Sequence, residues 1–442
     1  MGRQRVALVS LGCAKNQVDA EYMLGNLRRA GFSVGCEPAG ADIVIVNTCA
    51  FIAAAQQEAI DEILVLAEQK KRGRLKKLII SGCLPRRYAG ELPQLLPEVD
   101  GFFTPADLAA APRLLRRVLS GERVVSRGGG HYLAGEFQPR HRLTPAHSAY
   151  VKIADGCDNR CRYCLIPQIR GGFSSRRIES VLAETRRLAE QGVREINLIS
   201  QDTTSYGKDW SGKSALPELL TKLSAVPGIE WIRILYAHPR HFTAALIDCI
   251  AHEPKICRYV DLPVQHCNDR ILQLMGRKTV KRQLFALIER LRRKISGVVI
   301  RTSLIVGFPQ ETEARFEELC AFVREAAFER LGVFEYSREP GTPAAAYAGQ
   351  IPAAVKRRRR KKIMEIQRSI VEKHNAAAVG KIVPVLIDER DEYGRFALGR
   401  TSADAPDVDP VVYISPARCR PGRIVPVRIT DYYEYDLVGE CV

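Results

Sequence analysis

The stretch Asp155-Gly-Cys-Asp-Asn-Arg-Cys-Arg-Tyr-Cys-Leu-Ile-Pro-Gln-Ile-Arg-Gly171 carries three cysteines, Cys157, Cys161 and Cys164, in the spacing Cys-x-x-x-Cys-x-x-Cys. This spacing is one ligand short. A closed zinc site takes four protein ligands, and so does an ordinary four-iron ferredoxin cluster. Three cysteines on one loop can hold three irons of a cubane and leave the fourth open to a small molecule. The segment therefore reads as a catalytic iron–sulfur loop, with an incomplete zinc knuckle as the plain alternative. Gly156 lets backbone approach such a cluster, Tyr163 stands between the second and third cysteines, and Arg170-Gly-Gly172 closes the loop.

The loop follows an apolar run, Val151–Ala154. Further strand-like runs come at Glu195–Ser200, Trp231–Tyr236, Tyr259–Leu262, Val298–Val306 and Arg330–Phe334. Helical periodicity lies between them at Ile178–Gln191, Leu216–Ser224, Thr243–His252, Val280–Arg293 and Glu311–Ala326. This alternation predicts a full or partial (β/α) barrel, in which chemistry sits at the C-terminal strand ends. The cysteine loop is at such an end. So are Ser200-Gln-Asp-Thr203, Gln265-His266 and Val306-Gly-Phe-Pro-Gln-Glu311. Together they suggest a pocket for an amphipathic cofactor, with Ser200, Gln201, Gln265 and Gly307 as candidate contacts. Glycine at 307 would let a nucleoside approach the backbone. His238 and His266 read more simply as surface or loop histidines.

Upstream, Val6–Leu11, Ile43–Val46 and Leu78–Ile80 are short β-rich runs, with helices expected over Asp19–Ala30 and Ala53–Lys71. This is the pattern of an open parallel α/β sheet. Cys13, Cys49 and Cys83 each fall just past a predicted strand, two of them after a glycine. Strand ends of such a sheet line one edge, where ligands bind. Three cysteines far apart in sequence thus converge in expectation, again one ligand short. The other seven, Cys36, Cys249, Cys257, Cys267, Cys320, Cys419 and Cys441, lack ligand spacing and read as packing residues.

The expected divisions are 1–125 for the first domain, 126–146 for a linker rich in Gly, Pro and basic residues, and 147–355 for the barrel. A basic connecting helix over 356–378 and a C-terminal domain over 379–442 complete the chain. The last region breaks into short strands at Val383–Ile387, Phe396–Gly399, Val411–Ile414 and Ile424–Thr430, which predicts a small antiparallel β-barrel. The run Lys356–Lys362 is either a solvated helix face or a contact for RNA phosphates.

The chain has 442 residues, a net charge of +17 and 13 cysteines. No apolar run is long enough for a transmembrane helix, and the N-terminus lacks the features of a signal peptide, so a cytoplasmic protein is expected. In a reducing compartment so many cysteines point to metal binding or catalysis. From Lys381 onward there are 8 Lys/Arg against 11 Asp/Glu, a net of −3, which suits a basic protein partner better than a phosphate backbone. The competing class is a zinc-binding, RNA-binding protein without enzymatic activity.

The cysteine loop resembles that of the radical S-adenosylmethionine (SAM) superfamily. The six cysteines in this order, over the whole length of the chain, resemble the methylthiotransferases of that superfamily. Within them, Ser10-Leu-Gly-Cys-Ala-Lys-Asn-Gln-Val-Asp-Ala-Glu21 is similar to the branch acting on ribosomal protein S-twelve, although Ala14 stands where proline is usual. Leu143-Thr-Pro145, Tyr259-Val-Asp-Leu-Pro-Val-Gln-His266 and Ala403-Asp-Ala-Pro-Asp-Val-Asp409 are similar to it as well. The tRNA adenosine branch would carry Gly-Cys-Gln-Met-Asn at the start and a basic residue soon after Asn-Thr-Cys. Here Ala-Phe-Ile-Ala follows Cys49. The resemblance implies a C-terminal TRAM barrel, of OB-like form, and two [4Fe-4S] clusters. Cys157, Cys161 and Cys164 would hold the cluster that binds SAM, and Cys13, Cys49 and Cys83 the one that carries sulfur. It implies methylthiolation of an aspartate β-carbon. It also implies a low-potential electron donor such as flavodoxin or ferredoxin, a sulfur donor, and no membrane partner.

Overall fold

The computed structural model describes residues 3–416 and 419–442. The first domain is a parallel sheet of β1 (Arg5–Ser10), β2 (Ser33–Val34), β3 (Ile43–Thr48), β4 (Lys77–Gly82), β5 (Gly101–Phe103) and β6 (Val124–Val125). The strand order is β2-β1-β3-β4-β5-β6. β3 is buried at every residue, as expected of a central strand covered on both faces. Helix α1 (Ala14–Arg29) starts five residues before the predicted Asp19. Its first turn is polar yet buried at Lys15 and Asn16, so hydrophobic periodicity gave no sign of it. Helix α2 (Ala53–Lys71) has the expected bounds.

The second unit has β7 (Ser148–Lys152), β8 (Ala154–Asp155), β9 (Ser174–Ser175), β10 (Glu195–Ile199), β11 (Trp231–Ile234), β12 (Tyr259–Asp261), β13 (Val299–Val306) and β14 (Arg330–Glu335). β7, β10 and β11 form one parallel sheet and β12, β13 and β14 another, linked by the bridge Ile232–Ile256. Together they make a partial barrel around one apolar core. β8 and β9 form a small antiparallel ribbon at its mouth.

The segment expected as a linker contains no helix or strand over 126–146 but is pinned on both sides. Its Pro139 carbonyl lies 2.4 Å from where a Cβ on Gly25 would sit, so α1 needs glycine there. Arg140 pairs with Glu21 of α1 and Glu184 of the helix Ile178–Glu190. Ala134 offers its carbonyl to Arg176 and Ser180. Burial works against the charge on Glu184, but Arg176 and Arg140 prevail and hold its carboxyl down at about 2.

The C-terminal domain is a closed barrel of β15 (Ile382–Arg390), β16 (Ala397–Thr401), β17 (Val412–Ile414), β18 (Ile424–Tyr433) and β19 (Asp436–Cys441). It departs in one pair from the antiparallel expectation: β17 and β19 run parallel. Five strands cannot close a ring with every neighbour antiparallel, so one parallel pair is required. Cys419 and Cys441, read from sequence as packing residues, bring their sulfurs side by side at the end of β19.

This barrel seals the N-terminal end of the central one, opposite the cysteine loop. Arg400 pairs with Glu195 at the start of β10, Asp404 with Arg330 at the start of β14, and Asp409 with Arg301. Asp407 accepts from Tyr150 and Asp388 meets His147. Four of the C-terminal acids are therefore engaged internally. The charge argument for a basic partner loses that part of its basis. The basic run is likewise divided. Arg359 of the helix Ala353–Ala376 is buried against Glu311, while Arg357, Arg360 and Lys361 face solvent.

Candidate active site

β1, β3 and β4 are neighbours, with Ser10 beside Asn47 and Thr48 beside Gly82. Cys13, Cys49 and Cys83 leave these strands at the same edge. Cys13 precedes α1 in extended conformation, Cys49 follows β3 directly, and Cys83 opens the short helix α3 (Cys83–Arg87). Gly82 turns the chain into α3 at φ +96°, and a Cβ there would sit 2.6 Å from the Thr48 carbonyl oxygen. A Cβ on Gly12 would lie 3.2 Å from that of Cys49, so the first two cysteine turns are in contact. Asn16 and Asn47 lace these turns. The Asn16 amide donates to the Thr48 carbonyl at 2.9 Å, and the Asn47 amide donates to the Asn16 carbonyl at 2.8 Å. Burial, with Cys13 alongside, pushes the Cys49 thiol up to about 12. Burial also raises Cys83, against the pull of Arg170.

The loop of Cys157, Cys161 and Cys164 is pinched by β8 and β9. Gly156 has φ +76°, and a Cβ there would fall 1.9 Å from the Gly172 carbonyl oxygen, a cradle only glycine permits. Each sulfur faces a donor. Asn159 lies 3.4 Å from Cys157, the Ile166 backbone N–H 3.4 Å from Cys164, and Arg277 3.9 Å from Cys161. Such contacts set the potential of iron–sulfur centres. Burial raises the Cys157 thiol to about 11 and Cys164 to about 12. Thiols so placed ionise when a cation ligates them, and binding then releases protons. Among the described residues no three His, Cys, Asp or Glu side chains converge on a single metal ion. A cubane, met by each cysteine through a different iron, does not ask for that convergence. The donor set, the glycine cradles and the open fourth position fit such a cluster at both sites.

Beside the loop lies a cleft of about 280 Å³, lined in part by Asp158, Asn159, Asp202, Ser205, His238 and His241. Asp202 accepts from Asn159, Thr204, Ser205 and His241. Burial opposes its charge, yet these partners hold its carboxyl well below the usual range. His238 and His266 are not surface residues: both are buried. Burial holds His238 down at about 2, and His266 meets Glu311 at 3.2 Å.

Of the four candidate cofactor contacts, Ser200 and Gln201 adjoin the cysteine loop. Ser200 is buried and accepts from the Asp202 N–H, while Gln201 donates to Asp155 at 2.9 Å and keeps a buried Oε1 without a partner. Gln265 has φ +71° and its backbone pairs with Ser303 and Ile305. Gly307 has φ +72° and faces Lys356, whose Cγ lies 2.3 Å from where a Cβ would be; its N–H donates to Glu311. None of the four lines the cleft.

Sequence reasoning gave no role to Asn16, Asn47, Asn159, Asp202 or Arg277, and saw Arg170 only as part of the segment that closes the cysteine loop. All but Arg277 lay within quoted motifs. The available signal was a short polar or cationic residue inside an otherwise buried motif.

Comparison with known proteins shows the family. Residues 5–104 match the uncharacterized protein family UPF0004, residues 151–323 the radical SAM superfamily and residues 379–442 the TRAM domain. The ribosomal protein uS12 methylthiotransferase RimO of Geobacter sulfurreducens is 47% identical, over 100% of this chain and 99% of its own. The RimO of Heliobacterium modesticaldum is 45% identical, over 99% and 95%. Among solved structures, the radical SAM methyltransferase TsrM of Kitasatospora setae shares the fold, with a TM-score of 0.56 at 16% identity, over 78% of this chain and 77% of that one. The cobalamin-dependent radical enzyme OxsB does so with a TM-score of 0.53 at 12% identity, over 84% and 56%. The chain belongs to the RimO family of ribosomal protein uS12 methylthiotransferases, within the radical SAM superfamily.

Proposed function

We propose that this protein adds a methylthio group to the β-carbon of an aspartate in ribosomal protein uS12. Identity of 45–47% along the full length of curated RimO proteins supports the substrate assignment. The observation that carries the chemistry is the pair of three-cysteine sites, each one ligand short and joined through a shared buried network. In this reading Cys157, Cys161 and Cys164 hold one [4Fe-4S] cluster and Cys13, Cys49 and Cys83 a second. Residues 1–125 form the unit of the second cluster, 147–355 that of the first, and 379–442 the TRAM barrel. When bound, SAM and the reduced loop cluster supply a radical able to take hydrogen from an unactivated C–H bond, which has no proton acidic enough for a general base. The chain's own residues position and exclude. Asn159 and Asp202 order the wall between loop and cleft. Tyr163, edge-on to Phe308 with ring centroids 6.4 Å apart, closes the apolar side. Ser200 and Gln201 are the SAM contacts we favour. Gln265 and Gly307 stay in the proposal as backbone contacts. An outside low-potential electron donor and a sulfur donor are required. No helix among the described residues is long and apolar enough to cross a membrane.

The test is anaerobic reconstitution, then incubation with reductant, SAM and sulfide, offering uS12 and tRNA in parallel. Mass spectrometry should find the methylthio group on uS12 only. Modification of tRNA alone would refute the substrate assignment, and bound zinc without sulfide would refute the chemistry.

A further inference from the structure

Arg170 ends the short helix Ile166–Arg170, directly after the loop of Cys157, Cys161 and Cys164. Its side chain is 3% exposed. One guanidinium nitrogen pairs with Asp19 at 2.5 Å and Asp155 at 3.3 Å. The other donates to Asn16 and lies 3.6 Å from the sulfur of Cys83. Asp155 stands two residues before Cys157, and its second oxygen accepts from the Gly156 N–H and from Gln201. Asp19 and Asn16 belong to α1, which opens beside Cys13, and Lys152 completes the cluster by pairing with Asp19 and Asp155. A single buried fork thus touches a cysteine of one site and the carboxylate that shapes the loop of the other.

The local charges balance: Arg170 and Lys152 face Asp19 and Asp155. Thiolate at Cys83 adds negative charge on the side where Arg170 brings a cation to the sulfur. An N–H donor and a positive charge at a ligand sulfur favour the more reduced, more negative state of an iron–sulfur centre. A planar fork, unlike an ammonium, can serve the sulfur and the carboxylates together.

We propose that Arg170 is a positioning residue that holds the two cysteine sites in register and raises the reduction potential of the cluster held by Cys13, Cys49 and Cys83. The inference rests on the two-cluster reading above. It is tested on the full-length protein, reconstituted with iron and sulfide, by redox titration followed by electron paramagnetic resonance. Adding SAM, which acts on the loop cluster, tells the two signals apart. Arg170→Gln should shift the N-terminal cluster to a more negative potential and leave the loop cluster in place. Asp19→Asn, which removes a neutralising carboxylate beside the same guanidinium, should shift it the opposite way. Arg170→Lys should keep the potential near wild type but alter the magnetic coupling between the two reduced clusters. An N-terminal potential that moves in neither Arg170→Gln nor Asp19→Asn, or moves the same way in both, overturns the proposal. If Arg170→Gln does not retain the cluster, Asp19→Asn decides alone, and no positive shift overturns it. Two clusters in the wild type with an unmoved potential refute only this inference; one cluster in the wild type refutes the two-cluster reading as well.

Discussion

The two cysteine sites are alike in ligand number and unlike in construction. Cys157, Cys161 and Cys164 share one loop, and every sulfur finds a donor from the loop or from Arg277 behind it. Cys13, Cys49 and Cys83 come from three separate strand ends and meet only because β1, β3 and β4 are neighbours. The first site is a local structure held by a glycine cradle. The second is a product of sheet order, of Gly82 and of two asparagines. Damage should therefore divide between them, and each site should survive injury to the other.

The largest effect tests this directly. Alanine at any of the six cysteines should abolish methylthiolation and lower iron and sulfide by about half, as expected when one of two four-iron centres is lost. Replacement at Cys157, Cys161 or Cys164 should also stop reductive cleavage of SAM, whereas replacement at Cys13, Cys49 or Cys83 should leave it running. Chromatographic assay of 5′-deoxyadenosine separates the two classes. Should the N-terminal variants lose cleavage as well, the sites are not independent.

A subtler pair uses backbone alone. Gly156→Ala forces a Cβ toward the Gly172 carbonyl and Gly82→Ala forces one toward the Thr48 carbonyl, both at positive φ. Strained positions of this kind cost about 1–3 kcal/mol each. Gly156→Ala should cost the loop cluster and Gly82→Ala the N-terminal one, read as site-specific loss of electron paramagnetic resonance signal.

The C-terminal barrel sharpens the comparison from a distance, because it seals the end of the central barrel away from both sites. Arg400→Ala leaves Glu195 buried with only Arg233 and the Ser148 hydroxyl beside it among the described residues and should cost about 3–5 kcal/mol of stability by denaturant titration. Iron content under native conditions should hold. The same ion pairs set a pH dependence. Glu195 is held at about 2 because Arg400 and Arg233 overcome its burial, and Glu184 is held at about 2 likewise. Both folded values lie below the unfolded value of about 4.3. The stabilisation is thus complete above that value and is lost as pH falls toward 2, on the order of 3 kcal/mol for each group. Glu195→Gln should flatten unfolding curves measured across that window. The smallest effect lies in the basic run. Lys361→Ala, at a side chain 81% exposed, should stay within about 0.5 kcal/mol of wild type, whereas Arg359→Ala should match the cost of Arg400→Ala.

Much of the architecture was readable in advance because periodicity reports burial. Ala53–Lys71 buries Ala59, Ile63, Leu66 and Ala67, Leu216–Ser224 buries Leu216, Leu219, Leu220 and Leu223, both at helical spacing, and their bounds agree with the helices observed. The start of α1 was hidden because its first turn buries Lys15 and Asn16, polar residues that a hydrophobic pattern does not count. β19 and the two-residue strands β2 and β6 were missed for shortness or for flanking turn residues. The histidines at 238 and 266 were misjudged because loop position does not reveal how deeply a loop is packed.

Sequence by itself determined the candidate ligands at the cysteine loop, since their type and spacing lie within eight consecutive residues. It also determined the candidate ligands of the second site, since strand ends can be located from local pattern. The tertiary structure alone decided how the two sites face each other. Asp19, Lys152, Asp155 and Arg170 meet across 152 residues of chain, and no local signal says which carboxylate a buried cation will find. It alone also turned the acids of the C-terminal barrel inward, because a charge buried at an interface must take the partner that packing brings, whatever composition suggests about a partner outside.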